Sequence, residues 1–161
     1  MGGTMEARGN VHNHFGAEFN FFIDPEAAFI TLEAFPTCVI VSWECTVKSA
    51  VPWDDVDKWA AIPTHKAGFF QKISANLQAM FRPHPGPGFI TCDMIAAAVM
   101  IGLESVATNV KHLFATVELS GQSRSTCLID WPGIVSRRPN AFVVPVVHGF
   151  TDMVAQALAR E

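Results

Sequence analysis

The chain has 161 residues, half of them hydrophobic and 16% charged, with a formal net charge of −4. This balance supports one domain with a buried core, argues against disorder, and leaves no basic footprint for nucleic acid. The longest apolar run, residues 95–103, is too short to span a bilayer, and the first residues lack the basic and apolar regions of a signal peptide.

Residues 1–17 are rich in Gly, Asn and His and read as a loop. Asp24-Pro25-Glu26 then opens a helix: Asp24 caps free amides, Pro25 suits the first helical position, and Glu26 complements the helix dipole. Ala27, Ile30, Ala34 and Phe35 keep helical spacing until Pro36 stops the run. Residues 37–43 (TCVIVSW) form a β-branched run expected to be a buried, parallel strand. Residues 53–59 read as a short helix with an acidic start. Residues 66–81 read as a second helix, with Phe69, Phe70, Ile73, Leu77 and Met80 on one side.

The breaker cluster RPHPGPG, residues 82–88, separates that helix from another opened by Cys92-Asp93. In it Met94, Ala97, Ala98 and Ile101 recur at i, i+3, i+4 and i+7. Three strand-like runs follow at 113–119, 125–129 and 141–147. Gly121-Gln122-Ser123 suits a hairpin between the first two, and a helix over 151–160 closes the chain. The class is therefore α/β or α+β. Cys38, Cys45, Cys92 and Cys127 show no C-x-x-C spacing, so free thiols in a reducing, cytoplasmic setting are expected.

The stretch GAEFNFFIDPEAA, residues 16–28, places Glu18 and Asn20 among Phe19, Phe21 and Phe22. An extended course over 18–22 would set Glu18 and Asn20 on one face and the phenyl rings on the other. On that face the carboxylate accepts hydrogen bonds and the amide both accepts and donates.

The same stretch closely resembles the ribose-binding segment of the inosine/uridine-preferring nucleoside hydrolases. MGG at 1–3, Gly9-Asn10, TCDMIAAAV at 91–99, VELSGQSRSTCLIDW at 117–131 and PNAFVVPVV at 139–147 resemble further parts of that family. The resemblance runs along nearly the whole chain and corresponds to about the C-terminal half of the family domain. It implies a Rossmann-like open sheet with flanking helices and a late β-hairpin, with residues 1–161 as a single partial domain. It implies hydrolysis of purine or pyrimidine ribonucleosides to ribose and base, with Asn10, Glu18 and Asn20 binding the sugar and Asp93 a ligand of Ca²⁺. Homodimers or homotetramers are implied in the same way.

The family's N-terminal aspartate cluster has no counterpart here, since Asp54, Asp55 and Asp57 lie elsewhere and read as an exposed helix start. The chain alone is accordingly expected to be inactive. Cys92 stands where many relatives carry a leaving-group histidine, and a thiol is a poor general acid unless its surroundings tune it. Asn13 competes with Asn10 for the sugar role. Two alternatives remain beside the nucleosidase: a non-catalytic binding or scaffold protein on the same half-fold, and a cysteine hydrolase using Cys92.

Overall fold

A computed structural model describes residues 1–160. The elements in chain order are α1 (Phe19–Ile23), α2 (Pro25–Ala34), β1 (Cys38–Val41), α3 (Trp43–Lys48), α4 (Trp53–Ala60), α5 (His65–Phe81) and α6 (Cys92–Val106). There follow β2 (Ala107–Thr108), β3 (Lys111–Leu113), β4 (Ala115–Val117), β5 (Cys127–Ile129), β6 (Ala141–Val144), β7 (Val146–Val147) and α7 (Phe150–Ala159). Strands β1, β6 and β3 form a small open sheet in that order, with β1 parallel and β3 antiparallel to β6. Two further antiparallel pairs, β2–β7 and β4–β5, complete the β structure.

Several expectations hold. Asp24 Oδ1 accepts the Ala27 N–H at 2.9 Å and Pro25 takes the first turn of α2. β1 is parallel to its neighbour, β4 and β5 make the late hairpin, and all four cysteines are free. Asp54 and Asp55 sit in the first turn of α4, with Asp55 paired to Lys58 and Asp57 to Arg82. Among the described residues no helix is long and apolar enough to cross a membrane.

Others are corrected. Residues 19–23 are helical rather than extended, because carboxylate and amide oxygens arrive to satisfy the first amides of α1. Phe19 is 57% exposed as a result, while Phe21 packs against the smaller core. The strand at 37–43 shortens to four residues with Val39 exposed, since Ser42 leaves it to accept the Cys45 N–H and cap α3. The run 113–119 divides at Phe114, its first part pairing with β6 and its second with β5. The run 141–147 divides at Pro145, which has no N–H to give a ladder.

Two hydrophobic clusters hold these elements. The larger gathers Val41, Trp59, Phe70, Ile95, Val106, Val144 and Phe150 from both ends of the chain. The smaller joins Leu32 of α2 to Ile40, Ala115, Val117, Cys127 and Ala141. On α5 the buried positions are Ala67, Phe70 and Ser74, whereas Phe69, Ile73, Leu77 and Met80 remain exposed. On α6 the buried stripe is Ile95, Ala98, Val99 and Val106, which leaves Ile101 in solvent.

Candidate functional site

The site is built where the N-terminal segment meets the end of β1. Gly2 donates its N–H to the Val41 carbonyl at 3.1 Å, and the Gly3 carbonyl accepts from Trp43 N–H at 3.0 Å. Gly3 has φ of +69°, and a Cβ there would lie 3.0 Å from the Phe21 ring and 3.1 Å from Cys127 Cβ. Glycine meets both demands, the left-handed backbone and the close approach.

Glu18 fixes this junction. Its Oε2 accepts the Gly3 N–H at 2.8 Å and the Phe21 N–H at 3.3 Å, and its Oε1 accepts the Asn20 N–H at 3.0 Å. The side chain is 2% exposed. Three donors use three of the roughly four acceptor directions of a carboxylate. Asn10 joins the same helix end, its Oδ1 accepting the Phe19 N–H at 2.8 Å. The loop returns Asn10 to that position because Gly9 passes so close to Ala17 that a Cβ would sit 1.8 Å from the Ala17 carbonyl oxygen. Asn13, exposed and at φ +63°, stays out on the loop, so Asn10 is the asparagine held at α1. Asn20 donates from Nδ2 to the Met1 carbonyl at 3.2 Å.

A second buried carboxylate, missed in the sequence, holds the following residues. Glu44 is 5% exposed and accepts the N–H groups of Met5, Glu6 and Arg8 at 2.9, 2.9 and 3.0 Å. Its only sequence signal is a lone acid inside an apolar stretch, two residues after the capping Ser42.

Asp93 stands apart from the sugar-type groups, exposed in the first turn of α6. It lines a cleft of about 460 Å³ with Trp43, Phe70, Leu77, Phe81 and Phe89. Asn20 faces another groove of about 360 Å³, shared with Met1, Asp24 and Val39. Cys92 lines the same cleft as Asp93. Its thiol donates to Thr46 Oγ1 at 3.8 Å. Burial raises its pKa first of all; the Thr46 hydrogen bond works against this, and the charges of Asp93 and Glu18 add to the rise. A thiol kept protonated in this way is no ready nucleophile, which weighs against a cysteine hydrolase.

Ca²⁺ takes six to eight oxygen ligands. Among the described residues no group of three or more His, Cys, Asp or Glu side chains converges. Asp93 alone does not fit such an ion, and the donor set present falls short of a complete centre.

The chain is thus an open α/β framework with two buried carboxylates that hold backbone amides and a separate, largely apolar cleft lined by α5 and the start of α6. The profile of the inosine-uridine preferring nucleoside hydrolases matches residues 1–152, and the chain belongs to that family. It is similar to the pyrimidine-specific ribonucleoside hydrolase RihA of Salmonella typhimurium, with 28% identity over 98% of this chain and 51% of the relative. Among solved structures, an inosine-guanosine nucleoside hydrolase superposes with a TM-score of 0.81 at 30% identity, covering 99% of this chain and 49% of that one. The inosine-uridine preferring nucleoside hydrolase of Bacillus anthracis gives 0.77 at 25% identity, covering 98% and 49%. The chain thus spans about half the length of the relatives it matches.

Proposed function

We propose that this chain is the sugar- and base-recognising part of a nucleoside N-ribohydrolase, a single partial domain that hydrolyses no nucleoside by itself. The observation that supports this reading is the gathering of Asn10, Glu18 and Asn20 at the first turn of α1. A ribose diol donates its hydroxyl protons to the remaining acceptor direction of Glu18 and to the Asn20 side-chain oxygen. The base leaves into the apolar cleft lined by Trp43, Phe70 and Phe89. Hydrolysis of an N-glycosidic bond builds positive charge on the sugar, which a carboxylate beside the ribose, here Glu18, would stabilise in a catalytically complete enzyme. Calcium remains what the family resemblance implies: Asp93 would be one oxygen ligand if the ion were bound, and no part of this reading runs through it.

Amide chemical shifts recorded during titration with inosine and uridine test this reading. Changes centred on Gly3, Phe19, Asn20 and Phe21, with no free base released, are expected. Changes confined to other parts of the chain overturn it. A second reading, a non-catalytic binding or scaffold protein on the same half-fold, is favoured by the lack of a converged metal-ligand group among the described residues. Binding of neither sugar nor calcium by the folded chain supports that alternative.

A further inference from the structure

Thr91 carries a feature that the sugar-binding groups do not share. It is 8% exposed, and its Oγ1 is the buried side-chain oxygen or nitrogen that finds no hydrogen-bond partner among the described residues. A threonine before a helix ordinarily turns its hydroxyl onto an amide of the first turn. Thr91 does not: its ψ of 74° departs from the extended cap geometry, no side-chain cap bond forms, and only its carbonyl engages α6, accepting the Ile95 N–H at 3.1 Å. Buried polar groups are seldom left unpaired, because losing water without gaining a partner is costly.

The residue lines the cleft already assigned to the leaving base. Most of that lining is aromatic or aliphatic, from Trp43, Phe70, Leu77, Phe81 and Phe89. The cleft's other buried hydroxyl is satisfied: Ser74 donates to the Phe70 carbonyl at 2.6 Å and accepts from Gln78 Nε2 at 2.8 Å. An apolar slot with one unfilled hydrogen-bonding position matches a flat heteroaromatic ring bearing a polar edge atom.

We infer that Thr91 is a specificity-determining residue whose hydroxyl pairs with the polar edge of a nucleobase in the α5–α6 cleft. This rests on the nucleoside reading above and adds the group that tells an oxo- or amino-substituted base from a bare ring. A hydroxyl both donates and accepts, so Thr91 favours any polar-edged base over an unsubstituted one.

Calorimetric titration of the wild-type chain, Thr91→Ser and Thr91→Val with inosine, purine riboside (the analogue lacking the oxo group) and ribose tests the inference. Wild type and Thr91→Ser are expected to prefer inosine over purine riboside by about tenfold, as one hydrogen bond predicts. Thr91→Val is expected to lose that preference, hold ribose as tightly as wild type, and melt no lower than wild type. A preference unchanged in Thr91→Val, with inosine and ribose still bound, overturns this inference and leaves the nucleoside reading standing. Equal weakening of ribose and inosine in Thr91→Val also overturns it, because the hydroxyl then acts by supporting α6. A folded wild-type chain that binds neither inosine nor ribose overturns both.

Discussion

Glu18 Oε2 accepts the backbone N–H of Gly3 at 2.8 Å, a contact between residues fifteen apart that ties the loop onto α1. The same carboxylate caps α1 through Asn20 and Phe21, so a single side chain sets the position of the helix and of the segment beside it. The group proposed to hold a sugar is therefore also a structural anchor.

Removing that anchor is expected to be expensive. Glu18→Ala leaves three amide donors without their acceptor and should lower stability by about 2–4 kcal/mol, with Glu18→Gln closer to about 1–2 kcal/mol. Urea unfolding with an unchanged m-value checks this. A loss below about 0.5 kcal/mol for Glu18→Ala, the level of an ordinary surface change, would show that the three bonds do not matter in solution.

Glu44 makes a more local prediction. Without its carboxylate, the amides of Met5, Glu6 and Arg8 lose their acceptor, so Glu44→Ala should speed hydrogen exchange at those three positions. Exchange within α5 should not change. Uniform acceleration across the chain would mean that Glu44 supports the whole fold rather than this segment.

Gly3 and Gly121 form a matched comparison. Both have left-handed backbones, at φ +69° and +67°, but only Gly3 has atoms crowding the place of a Cβ. Gly121→Ala should cost about 1 kcal/mol for its backbone alone, and Gly3→Ala noticeably more. Equal losses would remove the packing argument at Gly3.

Stability should also fall at high pH. Burial pushes the Cys45 thiol up to about 11 and the Cys127 thiol up to about 12, from an ordinary value of 9.0. Between those limits the folded chain holds protons that the unfolded chain releases, so unfolding becomes easier as pH rises. The contribution is complete below about pH 9 and disappears as pH climbs through the folded values. Urea midpoints from neutral to alkaline pH, alongside thiolate absorbance, follow both effects. Thiolate forming at pH 9 in a native variant that keeps Cys127 as its one cysteine would contradict the burial of Cys127.

Much of the framework was written locally. Asp24 and Pro25 announce α2, the run around Ile40 announces a parallel strand, and Gly121 marks the turn between β4 and β5. Elements decided by distant partners were not legible. Helix α1 depends on Asn10, nine residues before the amide it caps, and on a carboxylate shared with Gly3. The start of helix α3 was hidden at the end of a strand-like run because Ser42 caps as readily as it continues a strand. Glu44 reaches amides 36 to 39 residues away, which no local pattern records. Of the site, Asn10, Glu18 and Asn20 were named from sequence and meet at one helix end, but their dependence on Met1 and Gly3 emerged only in three dimensions.

The most direct measurement is calorimetric titration of the folded chain, and of Asn20→Ala, with ribose and with 2-deoxyribose. Saturable ribose binding is expected in the wild type, weakened about tenfold or more in Asn20→Ala and for the deoxy sugar, which lacks one hydroxyl donor. Equal heats for the two sugars, or ribose affinity unaffected by Asn20→Ala, would mean that the end of α1 does not recognise a ribose diol.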